Sequence, residues 1–311
     1  MKVSIIDRLS PELKDLLEAL EVEVDYRPNI RPEEVPALIQ ESDILVMNSK
    51  VKLDKALIDN CAKLKLVIRA GVGLDHIDVA YGRTKGILVK NMPGVNAISV
   101  AEQTVGMLLS LHHWLQRASG EVKQFLWLRA KNRATEIAGK TVGIIGYGNT
   151  GSEVAKRLKA FDCKVLAYDK YKKDFGTLSV IEADMQLIFE ETQILSLHVP
   201  LTDETKNMVN YDYLSKFRHP ITLLNLARGP VVHLESLIDA LDAKQVVAAG
   251  LDVLPNERFH RLNDYEIQLY QNLFARDNVM LAPHIGGWSF ESKLRIRNLV
   301  IDYIREFLKT H

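Results

Sequence analysis

Thr141-Val142-Gly143-Ile144-Ile145-Gly146-Tyr147-Gly148-Asn149-Thr150-Gly151 decides the fold of this 311-residue chain. A short apolar run, Thr141 to Ile145, feeds into G-x-G-x-x-G at Gly146, Gly148 and Gly151. The spacing of Val154, Ala155, Leu158 and Phe161 then predicts a helix. Such a strand, turn and helix N-terminus cradle a pyrophosphate. The first glycine permits the tight turn, the second lets the backbone approach the phosphates, and the third lets helix and strand pack closely. The next apolar run, Lys164–Tyr168, ends at Asp169, close to the roughly 20-residue offset expected of a ribose-binding acid. A carboxylate there accepts hydrogen bonds from the ribose hydroxyls and repels a 2′-phosphate. NAD is therefore favoured over NADP, against the pull of Lys170, Lys172 and Lys173 just downstream.

The same alternation of apolar runs and helical patterns extends both ways. Upstream lie Val3–Ile6, Val22–Tyr26, Ile44–Met47, Leu66–Ile68 and Ile87–Val89, with helical patterns at Pro11–Leu20 and Leu53–Ala62. Downstream lie Ile194–Leu197, Ile221–Leu224, Val246–Gly250 and Val279–Leu281. Alternation of this kind predicts α/β architecture with two Rossmann-like, doubly wound parallel-sheet domains. Ser99 and Glu102 read as a capping box opening a helix that runs to about Leu115. Residues 289–310 read as one amphipathic helix without a sheet of its own, which must return to the first domain. The expected division is therefore a substrate domain at 1–98 and 287–311, and an NAD-binding domain at 99–286. The polar, aromatic segment from Arg258 to Arg276 reads as a surface excursion, with a lid or a subunit contact as the alternatives.

Bulk composition narrows the function. Lys+Arg and Asp+Glu both number 40, so no net field recruits nucleic acid or a membrane surface. No apolar stretch reaches the roughly 20 residues a membrane span needs, and the N-terminus runs straight into a strand instead of a signal peptide. The two cysteines, Cys61 and Cys163, form no disulfide framework or metal cluster, which fits a cytoplasmic protein with reduced thiols.

Three late strands end in residues with chemistry. Leu223-Leu224-Asn225-Leu226-Ala227-Arg228-Gly229 ends in a cation. Ala248-Ala249-Gly250-Leu251-Asp252-Val253 is followed by Glu257. Val279-Met280-Leu281-Ala282-Pro283-His284-Ile285-Gly286-Gly287 ends in a histidine. In open parallel sheets ligands bind outside the carboxyl ends of the strands, so all three fall on the edge where a nucleotide would lie. A cation for a carboxylate and carbonyl, an acid, and a group to hold that acid are what reduction of a 2-keto acid requires.

From about Ile44 to Ser289 the chain resembles the D-isomer-specific 2-hydroxyacid dehydrogenases, within them the phosphoglycerate and hydroxypyruvate/glyoxylate branch. The resemblance lies in Leu66 to Asp78 (with Arg69-Ala70-Gly71-Val72-Gly73), Asn91 to Asn96 with Val100-Ala101-Glu102, and His198-Val199-Pro200-Leu201-Thr202 with Thr205. The three strand-end motifs complete it. It implies a flavodoxin-like substrate domain beside the NAD domain, and direct hydride transfer with closure of a cleft. It implies that Arg228 binds the substrate, that His284 is the acid in reduction, and that Glu257 orients it and raises its pKa. Asn48, Ser49, Lys50, Gly71, Val72 and Gly73 would join Arg228 and His284 at the substrate. Gly146, Gly148, Asn149, Thr150, Gly151, Tyr168, Asp169, His198, Val199, Pro200, Thr205, Ala227, Arg228, Asp252, His284 and Gly286 would line NAD. No metal is implied. By analogy, the resemblance implies a homodimer through the 103–127 region.

The departures bear on substrate. Asn48 stands where phosphoglycerate enzymes often carry Arg, although Lys50, Arg69 or the 129–133 segment could hold a phosphate. Thr150 replaces an aliphatic residue, Arg258 a proline, and Trp288 a small residue. D-3-phosphoglycerate is the expected substrate, with hydroxypyruvate or glyoxylate, or an NAD-sensing corepressor-like scaffold, as the alternatives. Formate dehydrogenase is disfavoured because Glu257 stands where that enzyme has an amide. D-lactate dehydrogenase is disfavoured by the Pro-His-Ile-Gly-Gly ending. The early end of the chain reads as lacking a regulatory module.

Overall fold

The computed structural model describes residues 1–310. Contacts divide the chain into two units, Met1–Asn96 together with the segment from Trp288, and Ala97–Gly287.

The first unit carries β1 (Lys2–Ile5), β2 (Glu23–Tyr26), β3 (Ile44–Met47), β4 (Leu66–Arg69) and β5 (Leu88–Lys90) in the order β2-β1-β3-β4-β5. All its pairs are parallel. This is the flavodoxin-like order. β3 is buried at every position, as an unbroken apolar run covered on both faces must be, whereas Leu88 on edge strand β5 is exposed. The last helix, Phe290–Leu308, starts at Ser289, whose Oγ accepts the Ser292 N–H. It buries Val300, Ile301, Ile304 and Phe307 against Val3, Ile5, Leu13 and Leu17. Arg295 donates to the Val95 carbonyl and Tyr303 to that of Asn91.

The second unit carries β6 (Thr141–Ile145), β7 (Lys164–Tyr168), β8 (Ile181–Glu182), β9 (Ile194–Leu197), β10 (Ile221–Asn225), β11 (Val246–Leu251) and β12 (Val279–Leu281). Their order is β12-β11-β10-β9-β6-β7-β8, again parallel throughout. The strand order reverses between β6 and β9, which is where an open α/β sheet leaves a crevice for a ligand. The helix Ala97–His112 buries Val100, Ala101, Thr104, Val105, Leu108 and Leu111, one face at helical spacing, against the helix Asn149–Leu158 and β11.

Three expectations are corrected. Ser99 is not an N-cap: it lies inside the helix from Ala97, and its Oγ donates to the Gly286 carbonyl at 2.6 Å. Glu102 pairs with Arg157 instead of closing a capping box. The helix from Ala97 ends at His112, short of Leu115, and a second helix, Leu115–Lys123, follows a left-handed turn at Trp114. The segment from Arg258 to Arg276 is not a plain surface excursion. It holds the helix Asp264–Phe274, opened by a true capping box between Asn263 and Glu266, with Tyr270 and Leu273 buried. Trp288 is exposed, with the Lys293 ammonium 4.5 Å from its ring centre. No helix of the described residues is long and apolar enough to cross a membrane.

Candidate active site

The glycine turn is shaped by backbone crowding. Gly146 has φ +94°, and a Cβ there would lie 2.5 Å from the His198 carbonyl oxygen. The loops after β6 and β9 thus meet at the point where strand order reverses, and a side chain would force them apart. A Cβ on Gly151 would lie 2.1 Å from the Gly146 oxygen, so the helix could not approach its own turn. Gly148 differs: it is the N-cap of the helix Asn149–Leu158, and a Cβ there meets only open space. Asn149, Thr150 and Gly151 form the first helical turn behind it, where N–H groups and the helix dipole favour an anion.

Tyr168 closes β7, and its carbonyl accepts the Gly146 N–H. Asp169 follows. One oxygen accepts the Tyr147 N–H at 2.8 Å, and the other those of Tyr171 and Lys172 at 2.9 and 3.0 Å. Burial works against the charge, but these three donors prevail and hold the carboxyl below its ordinary pKa, so it is anionic at neutral pH. After β9, His198 Nε2 bonds Ser196 Oγ, while Nδ1 is buried with no protein partner. Burial lowers its pKa to about 4, so the ring is neutral. The Val199 side chain packs 3.1 Å from the Cβ position of Gly146. Thr205 ties this loop together, donating to the Pro200 carbonyl and accepting the Thr202 N–H. An open cradle at a helix N-terminus, a fixed carboxylate at the next strand end and an orphaned ring nitrogen opposite are what a dinucleotide requires.

The other half stands on neighbouring strands β10, β11 and β12. Asn225, 1% exposed, accepts the Ala227 N–H and donates to the Arg228 carbonyl, bracing the turn from within. A Cβ on Gly229 would lie 2.0 Å from the Leu254 oxygen, so only glycine lets Arg228 sit against the 253–256 loop. Arg228 Nη1 donates to the Ala227 carbonyl. Arg228, Glu257 and His284 line one recess with Gly229, Leu254 and Asn256.

His284 has φ +55°, a left-handed conformation that disfavours most side chains. Asp252 holds it there. Its backbone oxygen accepts the His284 N–H at 2.8 Å, and its carboxylate accepts those of Ile285 and Gly286 at 2.9 and 2.8 Å. Gln103 Nε2 donates to the same carboxylate at 2.8 Å. Asp252 therefore accepts three bonds from the histidine turn and a fourth from its helix neighbour. The His284 ring reaches Glu257, with Nδ1 2.9 Å from Oε2. That hydrogen bond, against burial, raises the imidazole pKa; the charges of Glu257 and Asp252 add to it and Arg228 opposes. With Nδ1 engaged, Nε2 is the nitrogen available to a substrate. Gln103 and Tyr270 are the supports that sequence reading missed. Gln103 did leave a signal, a polar residue in the same helical stripe as Val100 and Met107.

In the first unit, the segment after β3 is anchored at Asn48. Its N–H donates to Asp7 at 2.6 Å, and its backbone also bonds the His76 ring. Ser49 is exposed, and the Lys50 ammonium donates to the Pro28 carbonyl at 2.6 Å. After β4, a Cβ on Gly71 would overlap the Arg69 guanidinium. The Val72 carbonyl is held by Asn91 at 2.6 Å. Among the described residues, the N–H groups of Val72 and Gly73 meet no acceptor. No group of three or more His, Cys, Asp or Glu among the described residues is placed to hold a metal ion.

Comparison with known proteins agrees with this geometry. The family described as D-isomer specific 2-hydroxyacid dehydrogenase, NAD binding domain, matches residues 105–286. A hydroxypyruvate reductase of Thermotoga maritima is 37% identical, over 95% of this chain and 94% of its own length. A D-3-phosphoglycerate dehydrogenase of Archaeoglobus fulgidus is 32% identical over 99% of this chain, which spans 58% of that protein. Among solved structures, D-lactate dehydrogenase from Aquifex aeolicus, complexed with NAD and lactic acid, superposes with a TM-score of 0.86. It is 29% identical, with 100% of this chain and 96% of that one covered.

Proposed function

This chain belongs to the D-isomer-specific 2-hydroxyacid dehydrogenases and is an NAD-dependent oxidoreductase, and on that premise we propose that it reduces an unphosphorylated 2-keto acid, hydroxypyruvate or glyoxylate. The observation that carries the choice is the state of the segment after β3. Asn48 brings no cation, and the Lys50 ammonium is already engaged by the Pro28 carbonyl. A phosphate with about two negative charges binds where cations converge, and of Asn48 and Lys50 only the latter is a cation, turned toward the Pro28 carbonyl. A relative matched along nearly its whole length is a hydroxypyruvate reductase, which supports the same choice over D-3-phosphoglycerate.

Gly146, Gly148, Asn149, Thr150, Gly151 and Asp169 would hold the cofactor's pyrophosphate and ribose, with His198, Val199, Pro200, Thr205 and Asp252 around the remainder. NAD, when bound, supplies or accepts the hydride. Arg228 binds the substrate carboxylate and polarises its carbonyl. His284 donates the proton from Nε2 during reduction and takes it back during oxidation. Glu257 stabilises the protonated ring through Nδ1 and fixes its orientation. A homodimer is supported by exposed Leu115, Val122, Phe125, Leu126, Trp127 and Leu128 on the helix Leu115–Lys123 and the chain after it. Two free cysteines support a cytoplasmic setting.

The test is NADH oxidation, followed by absorbance, with hydroxypyruvate, glyoxylate, pyruvate and 3-phosphohydroxypyruvate. Turnover of hydroxypyruvate or glyoxylate well above that of the phosphorylated compound is expected. Fast turnover of 3-phosphohydroxypyruvate alone overturns the substrate choice, and NADH binding without turnover of any overturns the enzymatic reading.

A further inference from the structure

The Glu257–His284 pair is exposed for a proton-transfer couple, with 44% and 49% of the two side chains open to solvent. An exposed ion pair holds its geometry poorly unless the backbone beneath it is fixed. The residue before Glu257 is fixed at every polar atom. Asn256 N–H donates to the Tyr270 hydroxyl at 3.0 Å, and that hydroxyl donates to the Asn256 carbonyl at 3.1 Å. Asn256 Nδ2 donates to Glu266 at 3.4 Å, while Oδ1 accepts the Arg258 N–H at 3.1 Å and closes a turn over Glu257. Glu266 and Tyr270 lie one turn apart on a single face of the helix Asp264–Phe274. Tyr270 is 3% exposed, with its ring centre 5.5 Å from that of Phe274 and 5.8 Å from that of Phe259. The arrangement also explains Arg258. Proline has no N–H, so a proline there would leave Asn256 Oδ1 without its donor.

We infer that Tyr270 is a positioning residue for proton transfer: through its two bonds to Asn256 it holds Glu257 in register with His284. The inference rests on the roles of Glu257 and His284 proposed above. Burial pushes the Tyr270 hydroxyl pKa up, so it stays protonated and keeps donating. The charged groups facing His284 are Glu257, Asp252 and Arg228. When Glu257 loosens, Arg228 and burial gain weight and the imidazole binds its proton less tightly.

Tyr270→Phe removes both bonds and keeps the ring packing. In keto-acid reduction, kcat should fall about tenfold, less than the roughly 100-fold that a full ångström of misplacement causes. KM and the NADH dissociation constant should stay within about twofold, because the atoms that bind them are untouched. The alkaline limb of the pH profile should move down by about half a unit. Asn256→Ala removes the turn without touching the aromatic cluster and should give the same displacement if Tyr270→Phe folds poorly. Tyr265→Phe, an exposed tyrosine on the same helix bonded to Glu235, should leave the profile unchanged. Titration of the His284 ring by NMR reads the displacement without turnover. A titration and pH profile unchanged in both variants overturn the inference. A displaced titration in a protein that reduces no keto acid overturns the functional reading and upholds the positioning role.

Discussion

Replacing Glu257 by Gln separates charge from orientation at the proposed proton donor. Glutamine keeps an oxygen to accept from His284 Nδ1, across the 2.9 Å now spanned, and removes the negative charge. Two unit charges about 4 Å apart attract by ~1 kcal/mol in bulk water and ~4 kcal/mol at an effective permittivity of about 20. Both side chains are nearly half exposed, so screening draws the interaction toward the smaller figure. Since ~1.4 kcal/mol is one pKa unit, the His284 pKa should drop by about one unit. The sign follows from the present state. The Glu257 hydrogen bond, against burial, holds that pKa above its ordinary value, and its charge reinforces the effect. Reduction needs the protonated ring, so activity is lost as pH rises through the His284 pKa. The variant's alkaline limb should therefore lie about one pH unit lower, with rates converging in acid and differing about tenfold in base. Initial rates of NADH oxidation at saturating NADH, taken across pH, measure this. A limb that does not move refutes the reasoning, because Glu257 would then not set the proton affinity of His284. A loss equal at every pH also refutes it, since it would assign Glu257 a role in orientation alone.

Two further perturbations follow from the structure. Asp169→Ala removes the carboxylate assigned to the ribose and frees three backbone N–H groups, so NAD affinity should fall by about tenfold or more while NADP loses less. Fluorescence titration with both nucleotides checks this, and an unchanged preference would mean another group reads the ribose. Ile304→Ala opens a cavity at a fully buried position under the first sheet, which costs about 2–5 kcal/mol. A thermal midpoint unaltered by that change would contradict the packing of the last helix.

Much of this architecture was legible because parallel strands covered on both faces read as unbroken apolar runs. Ile44–Met47, Thr141–Ile145, Lys164–Tyr168 and Ile194–Leu197 have the same bounds in the sequence and in the structure. β8 escaped because two residues, one of them an exposed isoleucine, leave no periodicity to detect. The helix Asp264–Phe274 escaped although Asn263 and Glu266 spell a capping box, because its apolar face is narrow, with only Tyr270 and Leu273 buried. Ser99 misled in the opposite sense. It has the composition of a cap, but a carbonyl far along the chain, that of Gly286, competes for its hydroxyl and wins.

Two parallel α/β units, a dinucleotide turn at Gly146–Gly151, and the placement of Arg228, Asp252 and His284 at strand ends were readable from residue order alone. These follow from local periodicity and from the rule that strand ends in a parallel sheet share one edge. Which groups support them depends on contacts made in the folded chain. Asp252 holds the left-handed His284 turn, Gln103 reaches that carboxylate from 149 residues away, and Tyr270 clamps the backbone before Glu257. Such bonds join backbone amides to side chains distant in the chain. Backbone amides are the same at every position, so composition and spacing carry no trace of which one a buried oxygen will find.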